Sequence, residues 1–180
     1  YNMEKFLDRC LTSMVRENII DMLEVLIIDD GSSDNTVKVA QKYVEYYPDT
    51  FRVISKQNGG HGSALNVRIA LATGPYIPPI DADDWVNTDS LEYIIGILNE
   101  CNSDIIVTHF KKVLEKSKQL VEVRIRGMEY EKEYILDEVA DYAPWYLYHH
   151  VMYKADILKN APLKFTEKCF YDDMEYDSYP

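Results

Sequence analysis

Three closely spaced carboxylates in the sequence Asp-Ala-Asp-Asp at positions 81–84 are the residues of this chain with the clearest chemistry. They follow an apolar run at 76–80 that is typical of a buried strand, and Trp85 comes directly after them. Carboxylates packed this closely repel one another, and a divalent cation between them offsets the repulsion. Mn²⁺ and Mg²⁺ prefer oxygen ligands and often bind through one or two carboxylates together with substrate phosphates. The cluster therefore predicts a Mn²⁺ or Mg²⁺ site.

A second acidic turn, Asp29-Asp30-Gly31-Ser32, follows the apolar run at 25–28. A carboxylate at the end of a buried strand can accept hydrogen bonds from a nucleobase or a ribose. The alternative is a capped turn that opens the next helix, since Ser33, Asp34 and Asn35 are good N-cap residues. The residues of this turn alone leave both interpretations open.

A glycine-rich segment at 58–63, with the sequence Asn-Gly-Gly-His-Gly-Ser, lies between the two acidic turns. Glycines allow a ligand to approach the backbone, and the N-terminus of a following helix favours anions. The segment is neither a Walker P-loop nor a dinucleotide-binding fingerprint, because the spacings differ. An ordinary flexible loop is the alternative.

Further candidate residues lie in the second half of the chain. A late acidic run, Asp172 to Glu175, offers a general base, or else a solvated acidic helix start. Trp145, near Tyr146 and Tyr148, is the best candidate for stacking on an acceptor sugar. We interpret none of the four histidines as a metal ligand. His149 and His150 would point to opposite faces of a strand, and the other two are isolated in the sequence.

The elements that must position these residues alternate between strands and helices. Apolar residues at helical spacing predict helices at 3–14, 37–47, 65–72 and 91–98, the last capped by Asn87 or Thr88. Short apolar runs predict strands at 25–28, 51–55, 76–80 and 104–108. This alternation predicts an α/β fold with a mostly parallel sheet, whose ligands bind at the carboxyl ends of the strands. Both acidic turns occupy such positions.

The remaining sequence predicts an exposed antiparallel strand at 121–125, preceded by a hairpin turn at 115–118. No internal repeat or linker is visible. The chain has 180 residues, 47% of them hydrophobic, which is enough for one domain with a real core. Its net charge of −12 disfavours a nonspecific nucleic-acid binder. Three widely spaced cysteines argue against a disulfide scaffold, and no apolar run approaches the length of a membrane span.

Several motifs, taken in order, resemble the family 2 glycosyltransferases with the GT-A fold. They are Tyr1-Asn2, the stretch Leu26 to Thr36, the stretch Asn58 to Asn66, and the stretch Asp81 to Trp85. The joint pattern is highly specific and runs over nearly the whole chain. The resemblance implies a single GT-A domain over 1–180, truncated at both ends. Within it, residues 1–108 would form a nucleotide-sugar-binding half and residues 109–180 a smaller, antiparallel acceptor-side half.

The resemblance also implies a role for each matching residue. Asp30 contacts the uracil and Asp29 supports its turn, while Asp81 and Asp83 match the DxD motif. Asp83 binds the metal, Asp81 faces the ribose or the metal, Asp84 is the neighbouring metal candidate, and Asp173 is the catalytic base. The nucleotide-binding set is Tyr1, Asp29, Asp30, Gly59, Gly60, Asp81, Ala82 and Asp83.

By resemblance, the enzyme transfers a sugar from a nucleotide-diphosphate donor, most commonly a UDP-sugar, to an acceptor hydroxyl with inversion. The acceptor would be a saccharide or a lipid-linked saccharide in polysaccharide or glycolipid biosynthesis. We expect a cytoplasmic location, with possible peripheral contact at the inner face of the membrane. The alternatives are a non-catalytic nucleotide-sugar-binding module and a nucleotidyltransferase. The family usually has ordinary strand residues where Pro78-Pro79 stands, so we expect an irregular strand there.

Overall fold

The computed structural model describes residues 1–114, 116–124, 127–139, 149, 151–162, 164–169 and 173–178. Its first part alternates helices and strands: α1 (Leu7–Thr12), a 3₁₀ turn (Ile20–Met22), β1 (Val25–Asp29), α2 (Thr36–Tyr46), β2 (Phe51–Ser55), α3 (His61–Leu71), β3 (Tyr76–Ile77), α4 (Thr88–Leu98) and β4 (Ile105–Val107). The strands and helices predicted from the apolar pattern are all present. The cap on α4 is Asn87, whose side chain accepts a hydrogen bond from the Ser90 N–H.

The rest of the described chain contributes β5 (Phe110–Val113), β6 (Leu120–Val123), α5 (Leu136–Val139), β7 (Val151–Lys154), α6 (Ala155–Asn160) and α7 (Asp173–Ser178). Strands β5 and β6 form an exposed antiparallel hairpin, as the alternating sequence predicts. The aromatic segment around Trp145, which the sequence offered for stacking on a sugar, lies outside the described residues.

Two further sheets carry the site. Strands β1 and β2 pair in parallel, with Asp29 opposite Ser55 at their carboxyl ends. In the other sheet the order is β3-β7-β4, and β7 is antiparallel to both neighbours. The sequence indicated a mostly parallel sheet, but among the described pairings only β1 and β2 are parallel. The difference arises because β7 comes from late in the chain and lies between β3 and β4, which run in the same direction as each other.

Strand β3 is short because prolines follow it. It ends at Ile77, and Pro78 and Pro79 have no N–H to donate to a ladder. The irregular strand predicted at this position is therefore confirmed. The chain leaves the sheet at this point and reaches Asp81 without further strand pairing.

Two apolar cores hold these layers together. The first packs α1, α2, β1 and β2 around the fully buried Phe51. The second joins α3, β3, β7, α6 and α7 around the fully buried Tyr176. The rings of Tyr153 and Phe165 pack on Tyr176, with centroids at 5.1 and 6.2 Å. Because residues from both halves share this second core, α7 is fixed against the sheet that leads to the acidic cluster.

Candidate active site

The first acidic turn closes on the start of the chain. Asp29 is buried at the end of β1, and its carboxylate accepts the Ser32 N–H at 3.1 Å. Asn2 donates its N–H to the Ser32 hydroxyl and accepts the Ser33 N–H, both at 2.9 Å. The preceding residue, Tyr1, is exposed. The start of the chain and the first acidic turn are therefore adjacent in the structure.

Asp30 binds the glycine-rich segment. Its buried carboxylate accepts the Lys56 ammonium at 2.5 Å, the Gly59 N–H at 2.9 Å and the Gly60 N–H at 2.8 Å. Burial acts to raise the pKa of Asp30, but the hydrogen bonds from Lys56, Gly59 and Gly60 outweigh it and hold the pKa below its usual value. Asp30 is thus a charged anchor for the segment that begins α3.

Glycine is required at both anchored positions. A side chain on Gly59 would place its Cβ 2.5 Å from the Ser63 hydroxyl oxygen. Gly60 has a φ of +86°, and a Cβ there would lie 3.1 Å from the Lys168 nitrogen. The Lys168 N–H donates to the Gly59 carbonyl at 2.8 Å. A late segment of the chain therefore closes over the glycine-rich segment.

Helix α1 supports the acidic loop, defined here as residues 81–84. The Asp84 N–H donates to the Asp81 carbonyl at 3.0 Å and closes the turn. Arg9 donates to the Asp83 carbonyl at 3.3 Å, and its guanidinium lies 3.6 Å above the ring of Trp85. Ala82 packs against the first core.

Cys10 lies beneath the same loop. Its thiol donates to the Asp81 carbonyl at 3.7 Å. Burial raises the pKa of this thiol to about 12, and the carboxylates of the loop contribute to the rise. Cys10 is therefore a neutral packing residue rather than a nucleophile.

Two imidazoles face the carboxylates of the loop. His61, at the start of α3, places its Nε2 3.6 Å from Asp81 Oδ1. His149 places its Nδ1 3.5 Å from Asp84 Oδ2. One ligand atom each from Asp81, Asp84 and His149 lie within 4.8 Å of one another, a spacing that could hold a metal ion.

The electrostatics of the two carboxylates differ. Burial acts to raise the pKa of Asp81, but the hydrogen bond and charge of His61, together with His149, lower it overall. Burial raises the pKa of Asp84, the charge of His149 opposes this, and the charges of Asp81 and Asp83 add to the rise. The raised pKa of Asp84 thus comes first from burial, with the neighbouring carboxylates adding to it.

Asp83, a predicted metal ligand, stands apart from this group. The carboxylate of Asp83 is exposed and does not belong to the three-residue group. Asp173 begins helix α7, as the acidic helix start predicts. The roles assigned to Asp83 and Asp173 therefore stay predictions.

Sequence reasoning missed His149, Lys56 and Arg9. We interpreted no histidine as a metal ligand, yet His149 stands at ligand spacing to two carboxylates. No local pattern marks His149 or Arg9, because each reaches the acidic loop from a distant part of the chain. The position of Lys56 could have been predicted, since this residue immediately follows β2 at the sheet edge where Asp29 ends β1.

The side chains of the candidate cation group are partly exposed, at 37% for Asp81, 54% for Asp84 and 40% for His149. The described residues include a separate cavity of about 300 Å³ between α3 and α6, lined by residues such as Asn66, Leu158 and Lys159. None of the predicted site residues lines it. We therefore place the chemistry at the acidic loop and not in this cavity.

The chain belongs to glycosyltransferase family 2: the family model described as "Glycosyl transferase family 2" matches residues 1–160. The resemblance found in the motifs is thereby confirmed.

Relatives of the chain include the chondroitin synthase of Escherichia coli, which is 41% identical over 92 residues, or 51% of this chain and 13% of that protein. The uncharacterized glycosyltransferase EpsJ of Bacillus subtilis is 27% identical over 98% of this chain and 52% of its own length. The chain thus spans about half, or less, of the length of these two curated relatives.

Solved structures show the same fold. The structure of residues 1–349 of TarS from Staphylococcus aureus matches with a TM-score of 0.77 at 23% identity, covering 98% of this chain and 51% of that one. A complex of the same protein with UDP-GlcNAc matches with a TM-score of 0.76 over 50% of its chain. The predicted α/β GT-A class is confirmed by this likeness. In the described part of this chain, no helix is long and apolar enough to cross a membrane.

Proposed function

We propose that this chain belongs to a metal-dependent, inverting glycosyltransferase that uses a UDP-sugar, and that it carries both the donor site and the catalytic base. The observation that carries the proposal is a continuous series of contacts joining the three sequence motifs. Asp30 anchors Gly59 and Gly60, the next residue His61 meets Asp81, and the acidic loop follows. This adjacency supports a site in which the first acidic turn binds the nucleobase, the start of α3 the diphosphate and the acidic loop the cation.

The residues of the acidic loop fit a divalent cation. Carboxylates are the ligands that Mn²⁺ and Mg²⁺ prefer, and Asp81 and Asp84 stand at ligand spacing. Asp83 is the further carboxylate of the DxD motif and completes the proposed set. The cation supplies charge neutralisation for the nucleoside diphosphate that leaves. This need is strong here, because the whole chain carries a net charge of −12 and would otherwise repel an anionic donor.

The base of the donor is assigned to the first acidic turn. Asp29 ends β1 and Asp30 follows it, Tyr1 precedes Asn2, which binds this turn, and Asp30 is the proposed partner of the uracil. Helix α3 begins directly after Gly60, so the partial positive charge of its N-terminus faces the proposed diphosphate position. Relatives support UDP as the nucleotide, since a structure of TarS contains UDP-GlcNAc.

The acceptor is activated by Asp173 in this proposal. Asp173 would take the proton of an acceptor hydroxyl, which attacks the anomeric carbon from the face opposite the leaving diphosphate and inverts it. Residues 1–108 bind the donor and residues 109–180 face the acceptor. The relatives of the chain include a chondroitin synthase and a minor teichoic acid biosynthesis protein, GgaB of Bacillus subtilis. Their names support the proposal that the acceptor is a saccharide of the cell envelope.

The first experiment measures thermal unfolding with UDP, GDP, CMP and UDP-GlcNAc, each with and without Mn²⁺. A ligand at about 100 times its dissociation constant stabilises the fold by about 2.7 kcal/mol. That corresponds to a rise in Tm of about 5 to 10 °C for a chain of this size. We expect this rise in Tm when a uridine nucleotide and Mn²⁺ are both present, and no rise in Asp81→Asn. Asp21→Asn changes an exposed aspartate and is the matched control, so it should show the same rise in Tm as the wild type.

Turnover separates an enzyme from a binding module. Release of UDP from the UDP-sugar is measured for the wild type, for Asp173→Asn and for Asp156→Asn, which removes the equivalent charge from the first turn of α6. We expect Asp173→Asn to keep nucleotide binding and to lose at least about 100-fold in rate. Binding without turnover in the wild type would favour the non-catalytic module. Release of pyrophosphate from UTP and a sugar 1-phosphate, without release of UDP from the UDP-sugar, would favour the nucleotidyltransferase.

A further inference from the structure

The imidazole of His149 meets the acidic loop from a distant part of the chain. Its Nδ1 lies 3.5 Å from Asp84 Oδ2, and it forms a compact group with Asp84 and Asp81. His149 is 40% exposed and Asp84 54% exposed, so water and phosphate oxygens can reach the space between them. The motifs of the sequence assign no role to this imidazole.

The spacing of the three ligand atoms suits one ion. Ligand atoms at about 2.1 Å from a common ion lie about 3 Å apart when adjacent and about 4.2 Å apart when opposite each other. The observed separations, 3.5 Å between Nδ1 and Oδ2 and at most 4.8 Å within the group, need only small side-chain shifts to reach these values. Cation binding would therefore draw together groups that already face one another.

An aromatic ring orients the imidazole. Phe110, at the start of β5, packs edge-on against His149 with centroids 5.8 Å apart and an interplanar angle of 61°. Such packing around a ligand side chain restricts its ring orientation. Through this contact, the β5–β6 hairpin is coupled to the acidic loop.

We propose that His149 is a nitrogen ligand of the divalent cation and that it makes the site select Mn²⁺ over Mg²⁺. This inference rests on the proposed function, which supplies the cation site. Imidazole suits first-row transition ions, whereas Mg²⁺ requires near-ideal octahedral oxygen ligands and gives up its water reluctantly. An imidazole among the carboxylate ligands therefore penalises Mg²⁺ and tolerates Mn²⁺.

The competing explanation is an ion pair between Asp84 and a protonated His149, with no metal contact. The two explanations differ in what the nitrogen touches when Mn²⁺ is present. Mn²⁺ is paramagnetic, so a directly bound nitrogen produces a hyperfine coupling that pulsed electron paramagnetic resonance detects. This readout does not depend on activity.

The experiment records spectra of the 180-residue chain with Mn²⁺ and UDP, for the wild type, His149→Asn and His109→Asn. The last variant is the matched control, because His109 contacts Tyr130 and does not belong to the metal group. We expect nitrogen coupling in the wild type and in His109→Asn, and none in His149→Asn. Wild-type protein with isotopically labelled histidine should show the corresponding change in coupling.

The outcomes separate the two proposals. Bound Mn²⁺ without nitrogen coupling would overturn the role of His149 and leave the donor site standing. Nitrogen coupling that persists in His149→Asn would assign the nitrogen to another residue, for which His61 is the nearest candidate. That result would also overturn the proposed role of His149. Failure of Mn²⁺ to bind at all would overturn both proposals.

Selectivity is measured by displacing Mn²⁺ with Mg²⁺ in the same samples. We expect the ratio of Mn²⁺ to Mg²⁺ affinity to fall at least about tenfold in His149→Asp, which turns the group into an all-oxygen set. Phe110→Leu leaves the ligand in place but removes the ring that orients it, so a smaller fall is expected. An unchanged ratio in His149→Asp would contradict the selectivity role.

Discussion

At the scale of single residues, the most constrained group of the site is the carboxylate of Asp30. A carboxylate has about four acceptor positions. Lys56, Gly59 and Gly60 occupy three of them. The contacts of the part of the chain that the structure describes leave one position for a donor such as the imide N–H of uracil. The same residue therefore shapes the glycine-rich segment and, in our proposal, recognises the nucleobase.

This double role gives a prediction for stability and its pH dependence. Asp30→Asn removes a buried charge that is paired with Lys56, and we expect a loss of about 3 kcal/mol in the free energy of unfolding near neutral pH. The native-state pKa of Asp30 lies below its ordinary value of 3.8, so the ionised form stabilises the fold at every pH above 3.8. That contribution disappears as the pH falls from 3.8 through the native-state pKa.

Urea unfolding of the wild type and Asp30→Asn, from about pH 7 down to about pH 3, checks this pH dependence. The difference in free energy of unfolding between the two proteins should stay constant above about pH 5 and shrink below about pH 4. Asp49→Asn, at an exposed position, should change little throughout. A difference that grew on acidification would show that the carboxylate is not stabilised by its partners.

At the scale of elements, local pattern was sufficient for some features and not for others. The apolar runs predicted β1 and β2, and the residue before α4 predicted its cap, because these signals are contained in a few neighbouring residues. The position of β7 between β3 and β4 was not predicted, since pairing over such a sequence distance leaves no local signature. For the same reason the sequence offered the carboxylates of the candidate site, whose roles stay predictions, but gave no signal for the position of His149, which depends on that long-range arrangement.

Two glycines in or beside helices give opposite predictions for the same change. Gly59→Ala forces a Cβ to within 2.5 Å of the Ser63 hydroxyl oxygen, so we expect destabilisation by about 1 to 3 kcal/mol and weaker nucleotide binding. Gly96 lies inside α4, and no atom lies within 4 Å of the position that an alanine methyl would take, so Gly96→Ala should stabilise the fold by about 0.5 to 1 kcal/mol. Thermal unfolding and UDP binding of both variants test the pair. Equal effects would show that the glycine-rich segment has no special backbone requirement.

At the scale of the whole molecule, the second core connects the proposed base to the proposed cation site. Tyr176 lies three positions after Asp173 on α7 and is fully buried. Its hydroxyl donates to the Ile77 carbonyl at 3.1 Å, at the end of the strand that leads to the acidic loop. Its ring packs on Tyr153 of β7, which lies between β3 and β4. One side chain thus fixes α7 relative to the sheet.

Tyr176→Phe tests this coupling, because it removes the hydrogen bond and keeps the ring. We expect destabilisation by about 1 to 2 kcal/mol, since the Ile77 carbonyl is left without this donor. If α7 carries the base, the rate of sugar transfer should fall more than the affinity for UDP with Mn²⁺, because the donor contacts lie on other elements. Tyr46→Phe, on the exposed face of α2, is the matched control and should alter neither quantity. Equal losses of rate and UDP affinity in Tyr176→Phe would mean that this core supports the donor site itself, and the separate placement of the base on α7 would be wrong.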